Sequence, residues 1–222
     1  MKNVAVIEQS LDAKGELLIW TDIEPAKELD FNLWYDTEHM QERASIPGFT
    51  WSRRYHSDTA QRPYLALYRT ESLHVFRSAP YRQAFENQTE WSIRNFGSMK
   101  NTHRRVNAVT AFAGAGTGAA VSLICLGSLE NAQRALGIAQ TLSAAIAGVI
   151  TLRILNPDPD LSTPLPSESQ DKRVLEPYLV VDTTTVAVAN QVGQWVSKHL
   201  GLAETAHNSF SLLWDLQAND LK

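Results

Sequence analysis

The order of expected elements repeats once along the chain, and that repeat restricts the fold more than any single motif. Residues 16–23 (ELLIWTDI) are short, apolar and partly β-branched, and Glu24-Pro25 closes them, which reads as a strand. Pro25 opens a helix running to about Ser45, because a proline's missing N–H costs nothing in the first turn. Leu29, Leu33 and Met40 form its apolar stripe, interrupted by Asp36, and Pro47-Gly48 ends it. FTWSRRYH (49–56) alternates aromatic and polar residues, the period of a strand, and PYLALYRT (63–70) is close enough to complete a hairpin. Residues 71–97 read as helix split at Pro80, and residues 100–113 as strand. After the glycine-rich stretch Gly114–Gly118 the order returns: strand 119–127, helix 129–145 behind the N-cap Ser128, and strand 148–155. An exposed Pro-, Asp- and Ser-rich loop (156–171) follows, then strand 175–182, helix 183–200 and strand 207–216.

Each half is therefore β-α-β-β-α-β, the ferredoxin-like unit. The expected fold is α+β, with one unit over residues 1–114 and a second, degenerate one over residues 115–222. Two residue matches fall in the same frame. IPGFTWSR (46–53) aligns with IAGVITLR (146–153), and PYLAL (63–67) with PYLVV (177–181). The halves differ in their first helices. FNLWYDTEHMQER (31–43) is polar and aromatic, whereas NAQRALGIAQTL (131–142) is bland and Ala-rich, which places any chemistry in the first half.

Composition excludes several partners. The chain has 222 residues, 44% hydrophobic and 20% charged, with a net charge of −4, so a nucleic-acid partner is not expected. Cys125 is the single cysteine and lies in an apolar run, which rules out an intramolecular disulfide or multi-cysteine metal site and reads as a buried strand position. No apolar run approaches the ~18 residues of a membrane span, and the first residues lack a signal-peptide core, so a cytoplasmic location is expected.

Trp34-Tyr35-x-x-Glu38-His39-Met40, Arg43, Ile46-Pro47-Gly48-Phe49 and Arg53-Arg54-Tyr55 together resemble the EthD-like branch of the dimeric α/β-barrel superfamily. The resemblance covers about 90 residues of the first half. It implies that the two four-stranded antiparallel sheets pair as an α/β barrel, usually across a homodimer, with a small pocket between a unit's sheet and its helices. Relatives include cyclases, isomerases, decarboxylases, and cofactorless or haem-dependent monooxygenases.

His39 is the leading candidate for moving a proton, since an imidazole titrates near neutrality; a packing histidine is the plainer alternative. On the helix it stacks with Tyr35 and Arg43, and Glu38 flanks it, so Glu38 and Tyr35 are candidates to tune it. Trp34, Arg54 and Tyr68 are candidate substrate-binding residues. Arg53 and Arg54 point to opposite faces of their strand, Arg53 sharing its face with Phe49, Trp51 and Tyr55. Arg153 repeats Arg53, which favours structure there and leaves Arg54 for binding. Tyr178 repeats Tyr64, whereas Asp182 replaces Tyr68, which singles out Tyr68. No His/Cys/Glu spacing marks a metal site, and Gly114–Gly118 lacks a phosphate-loop ending and reads as the linker between halves, so no cofactor or metal is expected.

The expected function is a cofactor-independent lyase or isomerase, cyclase- or decarboxylase-like. It would act on a small, partly aromatic organic acid or polyketide-like compound by general acid/base chemistry. The alternatives are a non-catalytic small-molecule-binding or assembly protein of the same fold, or a haem-dependent or cofactorless monooxygenase. A small-molecule ligand and a homodimer are the expected partners.

Overall fold

The computed structural model describes residues 5–6, 10–171 and 173–221, so most of the N-terminal segment read above lies outside the described residues. The first half runs β2 (Gly15–Ile23), α1 (Glu28–Trp34), α2 (Met40–Ala44), β3 (Phe49–His56), β4 (Tyr64–Thr70), α3 (Ala79–Glu86), α4 (Glu90–Ser98) and β5 (Met99–Gly114). The second runs β6 (Ala120–Cys125), α5 (Leu129–Ala145), β7 (Val149–Pro157), β8 (Tyr178–Thr183), α6 (Val186–Leu200) and β9 (His207–Gln217). A two-residue strand, β1 (Ala5–Val6), pairs with Phe112 and Ala111 of β5. Strand order is β5-β2-β4-β3 in the first half and β9-β6-β8-β7 in the second, the same ferredoxin-like arrangement twice. β3 pairs with β9, and β5 pairs with β7, so the eight strands close into one antiparallel barrel within a single chain.

Closure creates three cores. One lies between the first sheet and α1–α4, one between the second sheet and α5–α6, and the third fills the lumen with Leu18, Trp20, Tyr55, Leu65, Leu67, Val121, Leu123, Tyr178, Val180 and Phe210. Charges close one end of the lumen. Arg153 lies 2.9 Å from Glu16 and 2.5 Å from Asp182, all three fully buried. Arg69 bonds Glu16 through Nε at 3.0 Å, Arg53 bonds Asp215 at 3.1 Å, and Trp51 lies beneath Arg53 and Arg69.

Several local expectations change. Leu29 and Leu33 are exposed, and α1 instead buries Phe31 and Trp34, with Tyr35 just beyond it, because that arc carries far more apolar area. α1 and α2 are one helix interrupted by a π turn over Tyr35–His39, in which the Met40 N–H reaches back to the Tyr35 carbonyl. Phe49 packs under the helices rather than beside Trp51 in the lumen, because a bulge between Phe49 and Trp51 shifts the alternation. The loop expected to be exposed over 156–171 is partly buried. Arg104 donates to the carbonyls of Leu161 and Thr163, Ser162 bonds Val106, and Leu165 enters the first core.

The two repeat motifs also part company. Gly48 and Gly148 hold matching left-handed turns (φ 91° and 90°), and Arg53 and Arg153 both point into the lumen. The second motif is one residue out of register, because Thr70 pairs with Phe49 as Thr183 pairs with Val149. Tyr64 therefore faces the helices while Tyr178 faces the lumen. The counterpart of Tyr68 is Val181, and that of Asp182 is Arg69. A one-residue slip exchanges the two faces of a strand.

The glycine-rich link is packed tightly at the barrel seam. A Cβ on Gly114, whose φ is +90°, would stand 2.1 Å from the Ile150 carbonyl oxygen. Gly114→Ala is expected to cost about 2–3 kcal/mol. That corresponds to a thermal midpoint lowered by roughly 5–10 °C, read by calorimetry.

Candidate functional site

The π turn positions the motif residues. It widens the helix by one residue where Tyr35, His39 and Met40 must all turn toward the sheet, and such turns recur at functional sites. His39 is buried, stacked on Trp34 at 4.2 Å and edge-on to Tyr35, Phe96 and Tyr68 at 5.2, 5.5 and 6.3 Å. Its Nδ1 makes no hydrogen bond among the described residues, since Glu42 lies 3.6 Å away. Burial, reinforced by the charges of Arg43 and Arg54, holds the imidazole well below its ordinary pKa. His39 is therefore neutral at pH 7.

A small, partly open cavity of about 30 Å³ lies beside the ring. His39, Tyr35, Tyr68, Arg43 and Arg104 line it, with Leu17 and Ile19 as the sheet floor and Phe85, Gln88, Phe96 and Leu165 as the cover. Tyr68 is buried with its hydroxyl beside that of Tyr35, and burial, first of all, pushes its phenol well above the ordinary value. Burial also raises Tyr35. Both are hydroxyl donors. Arg43 holds the Ala84 carbonyl through Nη2, and Arg104 holds the Tyr81 hydroxyl at 3.0 Å.

The expected residues divide into three groups. His39, Tyr35 and Tyr68 meet at the cavity, and Trp34 stands outside its lining, stacked on His39 with its own Nε1–H bonded to Ser92. Glu38 points away from His39, accepting from Thr89 at 2.6 Å and from Ser92 at 3.3 Å, where it ties the motif helix to the start of α4. Arg54 lies across the Tyr35 ring from the cavity, 4.3 Å from its centroid, and bonds Asn32 and Asp36. It lines a separate open groove of about 810 Å³ with Glu28, His56, Tyr64 and Trp214. Arg104, Phe85, Gln88 and Leu165 belong to the cavity without having been expected there. Arg104 sits on a strand whose polar run signals no particular face, and Leu165 arrives from the other half of the chain.

No family model matches the sequence. No curated protein does either. Solved structures match over nearly the whole chain. An anthrone oxidase-like protein superposes with a TM-score of 0.65 at 12% identity, covering 99% of this chain and 98% of that one. A proposed monooxygenase from Lactobacillus acidophilus gives 0.53 at 8% identity, covering 93% and 97%. A proposed chlorite dismutase gives 0.52 at 9% identity, covering 94% and 97%. At these identities the likeness is one of fold: this chain has the dimeric α/β-barrel fold, with both halves of the barrel in one polypeptide. Among the described residues no helix is long and apolar enough to cross a membrane.

Proposed function

We propose that this chain is a cofactor-independent oxygenase of the EthD-like branch, arisen by tandem duplication, that oxidises a planar aromatic carbon acid at the His39 cavity. The observation that carries the reading is a neutral imidazole, its Nδ1 free of a hydrogen bond, buried against two phenols in an aromatic-walled space. In that setting His39 takes a proton from an activated CH₂ group. Tyr68, with Tyr35 beside it and Arg43 on the wall, stabilises the enolate oxygen. The electron-rich carbanion then reduces O₂, and the carbon–oxygen bond forms as a peroxide anion. The His39 imidazolium returns the proton to that peroxide, which loses water to leave a carbonyl, so that CH₂ and O₂ become C=O and H₂O. Substrate entry requires outward movement of the corner carrying Phe85 and Gln88, which consists mainly of exposed residues.

The fold neighbours support oxidation more than the lyase or isomerase reading, although both begin with the same proton transfer. This reading needs no haem. The space beside His39, about 30 Å³, would have to open for a haem as it must for anthrone. The roomier hollows beside His56 and His207 mix Glu28, Asp36, Lys198 and Glu204 with Leu29, Leu202, Leu213 and Trp214.

Anthrone is the probe. Purified protein is expected to consume one O₂ per anthrone converted to anthraquinone, with no added cofactor. Turnover without O₂ uptake would favour the lyase or isomerase, and binding without turnover would sink both. Because His39 loses its proton well below the usual range, the rate is expected to stay flat from pH 7.5 to about 6 and to show no inflection near 6.5.

A further inference from the structure

The barrel end opposite the Glu16–Arg153–Asp182 network holds a pocket that this chemistry does not use. Its volume is about 320 Å³, within the size of small-ligand sites. Arg62, His103, Arg105, Glu168, Arg173 and Glu176 form its polar lining. Glu168 is already saturated. It lies 2.5 Å from Arg105 and 2.9 Å from Arg173, and it accepts the Arg104 backbone N–H. Two donor groups remain. Arg105 is 1% exposed, yet its Nε–H has no partner. Arg62 uses Nε on the Asn101 carbonyl and lies over the Trp20 ring, and no described carboxylate is within ion-pair range of it.

The remaining groups do not fill that vacancy. Burial raises the Glu176 carboxyl, no described cation lies within ion-pair range of it, and Asp171 lies exposed at the rim. His103 is held neutral at a pKa of about 4, first by burial and then by Arg62 and Arg105. Burial pushes the Cys125 thiol up to about 12. A planar, bidentate anion matches the free edge of a guanidinium stacked on an aromatic ring.

We propose that this pocket binds a small organic carboxylate, held by the free edge of Arg62 and by the Nε–H of Arg105. The site stands apart from the His39 cavity and does not depend on the oxygenase reading. The β7–β8 loop, which supplies Glu168 and Arg173, forms its outer wall.

Benzoate and acetate serve as probes, titrated calorimetrically into the full chain with sulfate as the competitor. The expected result is one saturable site that benzoate occupies and sulfate does not clear at equal concentration. Arg62→Gln, at a half-buried position outside the ion-pair networks, is expected to weaken benzoate about 10- to 100-fold. Arg62→Lys, which keeps the charge and loses the fork, is expected to weaken it too, and it serves if the glutamine variant misfolds. Tyr68→Phe should bind benzoate as the parent does. The proposal is overturned by any of four results: no saturable binding, undiminished affinity in a folded Arg62 variant, equal binding of sulfate, or loss of binding in Tyr68→Phe.

Discussion

Arg153→Leu is expected to destabilise the protein by about 3–5 kcal/mol, a large share of the roughly 5–15 kcal/mol that holds a typical domain together. The cost comes from what stays behind. Arg153 bridges Glu16 on β2 and Asp182 on β8, and both carboxylates are fully buried. Removing the guanidinium leaves two anions in the lumen, with Arg69 as the remaining close partner of Glu16, and with Asp182 left to Thr151, the Gly118 N–H and Arg53 at a longer 3.9 Å. Charge burial without a partner is costly in a medium that screens so little. Arg53→Leu is expected to cost less than half as much, because its nearer partner Asp215 is partly exposed and can be solvated. Urea unfolding of the two variants checks the ordering, read from the midpoints at unchanged slope. Equal losses would mean that the network is not organised around Arg153.

His39→Gln carries the second large effect, a fall in turnover of about 10²- to 10⁴-fold if the imidazole is the base. Glutamine keeps a polar side chain of similar reach but accepts no proton near neutrality. Tyr68→Phe is expected to lower turnover about tenfold or more, by removing one donor to the enolate oxygen. Glu38→Gln separates the expectation of a tuning carboxylate from the structure. Its side chain is engaged with Thr89 and Ser92, so turnover should be nearly unchanged while stability drops by about 1 kcal/mol. Single-turnover rates of the four proteins on anthrone decide this. A His39→Gln enzyme as fast as the parent removes His39 from the chemistry.

Much of the barrel could be read in advance because its strands are short, alternate cleanly and end at proline or glycine. The segment FTWSRRYH coincides with β3 at both ends, and Ser128 does cap α5. What failed to show depends on partners far away in sequence. The 156–171 loop looks like solvent-loving punctuation until Arg104 and Arg105 are known to lie beneath it. The stripe of Leu29 and Leu33 is regular, but the aromatic arc beside it outweighs it, and a π turn breaks the 3.6-residue count where the motif lies. The motif places His39, Tyr35 and Trp34 on one stretch of helix, and their rings do meet, while it suggested nothing about the direction in which Glu38 turns.

The lumen network has a consequence for how such a barrel can be assembled. Strand register makes Val121 the counterpart of Glu16, and Asp182 the counterpart of Arg69, while Arg153 stands opposite Arg53. Two copies of the first half, related by a true two-fold axis, would bring four guanidinium groups against two carboxylates in one dry space. Joining the halves in one polypeptide frees each position from its two-fold copy, so Asp182 can stand where symmetry would repeat Arg69. That second carboxylate for Arg153 is closed to any symmetric dimer of the first half, and it ties the pairing to the two unlike halves of this chain.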